Sequence, residues 1–156
     1  VLLTNDDGIA SPGLHALAQA CTAGHETVVV APEHERSASG HAITLHKPLR
    51  ARPVAGGVAG LQAWATNGTP ADCVVLAVGE LLPWRPDVVI AGVNVGPNLG
   101  LDLTYSGTVS GAMEGAILGI PSLAVSVTSF VDVHFEVAAA FAERVARLVV
   151  DRHLPG

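Results

Sequence analysis

The sequence predicts a three-layer, Rossmann-like, doubly wound α/β fold with a mostly parallel sheet, and three observations support this. Short apolar runs at residues 1–3, 27–31, 88–91 and 123–125 lack polar alternation, as strands covered on both faces require. Stretches with helical period lie between them. The most unusual polar residues follow the apolar runs directly, at the strand ends where an open α/β sheet binds its ligands.

The elements follow in order. Residue 1 already reads as mid-strand, so a few residues are expected ahead of it. Leu14, Leu17, Ala18 and Cys21 fall at i, i+3, i+4 and i+7 of a first helix, which Gly24 ends. After the strand at 27–31 the alternation breaks. Residues 44–49 and 58–65 read as irregular strands around Gly56-Gly57, a small β-hairpin protruding from the main sheet. Thr69-Pro70-Ala71-Asp72 opens a second helix, with an N-cap threonine before a first-turn proline. Val109, Ala112, Met113, Ala116 and Ile117 trace the buried stripe of a third helix that stops at Gly119. Val137, Phe141, Val145 and Leu148 mark that of a fourth. With no internal repeat and no linker, residues 1–156 read as a single domain.

Composition narrows the function. The chain is 49% hydrophobic and 14% charged, with a mean hydropathy of +0.46, which excludes intrinsic disorder. Eight basic and fourteen acidic residues give a formal charge of −6. There is no basic footprint for duplex nucleic acid, and any phosphate must be held locally. Cys21 and Cys73 lie far apart in apolar stretches and read as core residues in a reducing compartment. No apolar run approaches the ~18 residues of a membrane span, and no signal peptide opens the sequence. A cytoplasmic protein with no membrane partner is expected.

Four polar clusters then converge on one rim of the sheet: Thr4-Asn5-Asp6-Asp7-Gly8, the run from Glu33 to Gly40, the run from Asn94 to Asn98, and Ser126 to Ser129. Asp6 and Asp7 stand at a strand-to-loop transition, where both carboxylates can turn toward one point. They repel there unless a cation or a shared proton lies between them. With the Ser37 hydroxyl and the Asn94 amide they form a hard-oxygen set suited to Mg²⁺ or Mn²⁺. Zinc is disfavoured, because neither His-x-x-x-His nor Cys-x-x-Cys occurs. Ser106-Gly107-Thr108 opens the third helix, whose unpaired N–H groups and positive dipole end can receive a phosphate without lysine. His25, His134 and His153 read as surface residues, and His41 and His46 as solvated loop residues near the rim. No P-loop, dinucleotide fingerprint or serine-hydrolase elbow is present.

These motifs resemble the SurE survival-protein family. The residues concerned are Thr-Asn-Asp-Asp-Gly at 4–8, Val-Ala-Pro at 30–32 with Arg-Ser-Ala-Ser-Gly at 36–40, and Gly-Thr-Pro-Ala-Asp-Cys-Val at 68–74. Gly-Val-Asn-x-Gly-x-Asn-x-Gly at 92–100 and Tyr-Ser-Gly-Thr-Val-Ser-Gly-Ala-Met-Glu-Gly-Ala at 105–116 complete the match. The resemblance implies a metal-dependent phosphatase acting on nucleoside monophosphates at 5′ or 3′ positions, with short polyphosphate a further substrate. It implies one divalent cation per subunit on Asp6, Asp7, Ser37 and Asn94. It also implies phosphate binding by Ser106, Gly107 and Thr108 with Asn98, and Asn5 as a transition-state donor. A homodimer or homotetramer is implied too. Family members continue well beyond the point where this sequence reaches Leu154-Pro155-Gly156, so oligomer contacts are where it departs from them.

The expected chemistry is in-line attack on phosphorus by water activated at the cation, with Asp6 orienting or deprotonating that water. An aspartyl-phosphate on Asp6 or Asp7 is the mechanistic rival. From another functional class comes a non-catalytic, receiver-like phosphate- or nucleotide-sensing module. That module needs a separate phosphoacceptor aspartate and a late lysine, whereas this sequence offers Asn94 and only Lys47.

Overall fold

Leu2 and Leu3 are both fully buried, yet each belongs to a different apolar cluster, because successive side chains of a strand point to opposite faces. That alternation sets the layering. The computed structural model describes residues 1–152 and 154. Its strands are β1 (Leu2–Thr4), β2 (Val28–Pro32), β3 (Ala51–Ala55), β4 (Gln62–Thr66), β5 (Val89–Asn94) and β6 (Ser122–Ser126). Its α-helices are α1 (Pro12–Thr22), α2 (Pro70–Leu76), α3 (Gly107–Ile117) and α4 (Phe135–Asp151). A π-helical turn at Ala77–Leu81 and a 3₁₀ turn at Gly100–Thr104 complete the described elements.

The six strands lie in the order β3-β4-β2-β1-β5-β6, all neighbours parallel except β3 and β4. Leu3 pairs with Val29 on one side and Ile90 on the other. One cluster holds Leu3, Val29 and Ile90 against α1 and α4, through Leu14, Leu17, Ala142 and Ala146. The other holds Leu2, Val30 and Val89 with Cys73, Val74 and Ile120. The predicted doubly wound α/β class is observed, and both cysteines are buried and free. The second helix starts as its sequence requires. Thr69 Oγ1 accepts from the Asp72 N–H at 3.1 Å while Asp72 Oδ2 accepts from the Thr69 N–H at 2.9 Å, a complete capping box.

Four expectations are corrected. The hairpin does not protrude: β4 pairs with β2 along its whole length and extends the sheet. Residues 44–49 form no strand, because side chains satisfy their backbone. Asp72 Oδ1 takes the Thr44 N–H, Asn67 Oδ1 takes the Arg50 N–H, Asn67 Nδ2 donates to the Pro48 carbonyl, and Pro48 itself has no N–H to give a ladder. On α3 the expected stripe holds only in part, with Ala112 buried and Val109 half-buried. Met113, Ala116 and Ile117 are exposed, while Gly107, Thr108, Ser110, Gly111, Glu114 and Gly115 are buried. The helix lies too close to the sheet for larger residues: a Cβ on Gly115 would sit 2.3 Å from Ser122 Oγ, and one on Gly111 3.0 Å from Thr4 Cγ2. On α4, Val137, Phe141 and Leu148 face outward, and the alanines 139, 142 and 146 pack against the sheet and α1.

The other helix layer has its own close approach. A Cβ on Gly13 would lie 2.1 Å from the Val93 carbonyl oxygen, a backbone contact that no rotamer can relieve. Gly13→Ala is expected to destabilise the fold by ~1–3 kcal/mol through overpacking. Urea unfolding checks this, and an unchanged midpoint would contradict the packing described.

Candidate active site

The chain leaves β1 toward β2 on one side of the sheet, while β5, the other neighbour of β1, leads to β6 at the opposite edge. This is the switch point of an open sheet, where the strand ends leave a crevice. β1 ends at Thr4, and Asn5 to Gly8 turn the chain into α1. Asn5 is fully buried. Its Nδ2 donates to the Gly8 carbonyl at 3.0 Å and to Ser11 Oγ at 2.7 Å, and Ser11 caps α1. Both amide N–H groups are thus committed inside the turn. The atom left without a partner is an acceptor, Oδ1.

Asp6 and Asp7 share the turn. Burial pushes the Asp6 carboxyl above its ordinary value, opposed by hydrogen bonds from the Thr108 hydroxyl and N–H. Asp7 is raised to about 6, first by burial and then by the charges of Asp6 and Glu35. The charge of Asp6 therefore disfavours the ionised form of Asp7, and a cation between them would remove that conflict.

α3 meets the pair end-on. Thr108 Oγ1 donates to Asp6 Oδ1, and both residues are buried. A Cβ on Gly107 would lie 2.7 Å from Asp6 Cβ and 3.0 Å from both Asp6 Oδ2 and Ser39 Oγ, so only glycine lets the helix start this close to the acids. Ser106 Oγ accepts the Val109 N–H at 3.1 Å and caps the helix.

The remaining predicted residues arrive on separate loops. Asn94 ends β5 at a register shift, and its Nδ2 donates to the Val95 and Gly96 carbonyls at 3.0 and 2.9 Å. That leaves Oδ1 as the acceptor. The Arg36 N–H donates to the Asp6 carbonyl at 2.7 Å and brings Ser37 alongside, but the Ser37 side chain is exposed and donates to Glu35. Asn98 Nδ2 donates to Ser126 Oγ at 2.7 Å, engaging the end of β6 instead of the start of α3.

His25 is mostly covered and lies 3.1 Å from Glu143, against expectation; His41 is exposed as expected but also lies 2.7 Å from Glu114. His134 and His46 are exposed as expected, and His153 lies outside the described residues. Sequence reasoning missed Glu35 and Ser39. Their only signal was position, in the loop that follows β2.

Buried side-chain nitrogens and oxygens without a partner, among the described residues, are Thr4 Oγ1, Asn5 Oδ1, Asp7 Oδ2, Arg36 Nε and Ser39 Oγ. Native proteins pair such atoms almost always, and here the exceptions fall at the end of β1 and the loop facing it. A cleft of about 350 Å³ lined by Asp7, Gly8, Ser11, Glu33, Glu35 and Val95 opens beside them. Among the described residues no three His, Cys, Asp or Glu side chains converge as a metal cluster. The set is two acids with neutral amide and hydroxyl oxygens, which suits a hard dication keeping several waters.

The raised Asp7 value has a testable sign. With chelator present, the fold binds a proton on Asp7 that the unfolded chain has already released, so this group's stabilisation is lost as pH rises from about 4 toward 6. Asp7→Asn removes that loss. Metal-free melts at pH 7 are expected to place the variant at or above the parent, and a lower Tm would contradict the repulsion at Asp7.

Comparison with known proteins identifies relatives over nearly the whole chain. The chain is 55% identical over 152 residues to a 5′-nucleotidase SurE of Desulforudis audaxviator, covering 97% of this chain and 59% of that protein. It is 54% identical to the 5′-nucleotidase SurE of Desulfatibacillum aliphaticivorans, covering 99% and 61%. The crystal structure of the SurE protein from Aquifex aeolicus superposes with a TM-score of 0.86 at 45% identity, over 96% of this chain and 59% of that one. The chain thus spans about three fifths of the length of these relatives. The family model for the survival protein SurE matches residues 1–155, and the chain belongs to that family.

Proposed function

We propose that this chain carries the phosphoryl-transfer half of a nucleotidase that hydrolyses nucleoside monophosphates. The observation that supports this best is the gathering of unpartnered buried polar atoms around an acid pair, against a helix start narrowed to glycine. The relatives named as 5′-nucleotidases point to the same substrate class. Asp6, Asp7 and Asn94, with Ser37 from the facing loop, would hold one Mg²⁺ or Mn²⁺. Such a cation, when bound, polarises a phosphoryl oxygen and lowers the pKa of water.

The rest is the work of the chain's own groups. The start of α3 presents main-chain N–H groups and a positive dipole end to a terminal phosphoryl group, with Ser106, Gly107 and Thr108 as its contacts and Asn98 on the neighbouring loop. Asp6, steadied at Oδ1 by Thr108, keeps Oδ2 to orient the attacking water in line with the leaving oxygen. Buried Asn5 holds the turn that aims both acids. Because the notch grips only the terminal phosphoryl group, 3′-monophosphates and short polyphosphate fit the same chemistry. The exposed apolar faces of α3 and α4 suit contacts in a homodimer or homotetramer, and we place the protein in the cytoplasm. Among the described residues no helix is long and apolar enough to cross a membrane.

Phosphate release from AMP and GMP, measured with Mn²⁺, with Mg²⁺ and with chelator, tests the reading. Turnover that requires the cation is expected, and turnover undiminished by chelator would reject it. Asp7→Ala is expected to abolish turnover while the protein stays folded. Gly107→Ala crowds Asp6 and obstructs the notch, and should lower kcat by on the order of 10²–10³, the usual cost of one displaced oxyanion donor. An active Gly107→Ala enzyme would show that α3 does not receive the phosphate.

A further inference from the structure

The loop between β2 and β3 carries Ser37 and Ser39 but has no regular structure over residues 36–50, so something else must hold it over the site. Two of its residues, Ala38 and Gly40, adopt left-handed backbone conformations with φ of +53°. Ser39 packs against Gly107, and the Gly40 N–H donates to the Tyr105 carbonyl at 3.0 Å. Thr44 Oγ1 donates to Asp72 Oδ2 at 2.6 Å, and Thr69 Oγ1 donates to the Ala42 carbonyl at 2.7 Å. Between these ties, His41 Nε2 meets Glu114 Oε2 at 2.7 Å.

Glu114 belongs to α3, on the face turned away from solvent, and is 8% exposed. It lies six residues beyond Thr108, or ~9 Å along the axis at 1.5 Å per residue. A carboxylate hidden in a helix–sheet layer is costly unless partnered. Its only hydrogen-bond partner among the described residues is His41, from the loop that faces Asp6. The helix that receives the phosphate and the loop that supplies Ser37 are therefore bolted together by one side-chain pair.

We infer that Glu114 and His41 are a positioning pair, which fixes the Ser37–Ser39 loop relative to the start of α3 and so sets how tightly the site takes its cation. This rests on the proposed function. Neither residue touches the reacting atoms. Asp72, with Thr69 and Thr44, anchors the far side of the same loop to α2, so releasing His41 frees the middle of the loop without unfolding it.

The test uses the full chain with His41→Ala, His41→Gln (which keeps an N–H donor) and Glu114→Gln as an independent disruption. Hydrogen exchange of residues 36–44 without metal reads the clamp, and the Mn²⁺ concentration that gives half the Mn²⁺-induced rise in Tm reads the site. His41→Ala should raise exchange in that segment on the order of tenfold. It should also weaken Mn²⁺ binding by ~10–100-fold, the usual effect of losing a group that orients metal ligands. His41→Gln should restore much of both. At saturating Mn²⁺, kcat should return close to the parent value for AMP and p-nitrophenyl phosphate alike. Unchanged exchange in His41→Ala would overturn the clamp. Faster exchange with unchanged Mn²⁺ affinity would overturn the positioning role and leave a structural tie. If the parent protein shows no Mn²⁺ response, the metal reading is what fails, and the exchange data alone then decide whether His41 and Glu114 hold the loop.

Discussion

The approach of α3 to the sheet is the constraint on which the rest depends. Glycines at 107, 111 and 115 recur every four residues and face Asp6, Thr4 and the β5–β6 pair at distances that leave no room for a Cβ. That contact brings the first turn of the helix down onto the carboxyl end of β1. Thr108 then reaches Asp6, and Glu114 sinks into the layer where His41 can find it. A helix standing off by the thickness of one methyl group would separate the acid pair from the positive helix end.

The electrostatics follow from that placement. Two adjacent acids, one largely buried and one half-buried, are raised chiefly by desolvation, Asp7 also by the charge of Asp6, with Glu35 adding to the field at both. Stability is given up at this corner of the molecule in the metal-free state. The layers beneath are well supplied with aliphatic packing from Leu3, Leu14, Leu17, Val29 and Ile90 on one face and from Leu2, Val30, Val89 and Ile120 on the other. The strained polar corner sits on a rigid support, as a site that must keep its geometry requires.

Local signals were the legible ones. The apolar strands, the Thr69 and Ser106 caps and the clustering of Asp6, Asp7 and Asn94 at strand ends could be read directly, because strand burial, capping and strand-end position are written in neighbouring residues. What misled was size. Periodicity assigns the core to large side chains, which points Met113 and Ile117 inward on α3 and Val137, Phe141 and Leu148 inward on α4. The structure instead puts glycine and alanine inside, where close approach demands it. The hairpin itself is legible, but its place in the sheet is not: the pairing of β4 with β2 is a long-range choice that no local pattern encodes. The contacts of Asn5 were not legible either, because its Nδ2 donates to the Gly8 carbonyl and to Ser11 Oγ through a turn that only the folded chain forms. His41 is exposed as its loop position implies, but its pairing with Glu114, seventy-three positions away, is written in no local pattern.

Under the proposed function, the end of α3 that receives the anion is built from peptide groups and not from lysine or arginine, so its preference for a dianion is insulated from ordinary amino-acid replacement. Main-chain dipoles cannot be exchanged codon by codon, and the one variable position among them is held at glycine by its neighbours. On that proposal, divergence in what is accepted would be written in the surrounding loops, which can change without disturbing the start of α3.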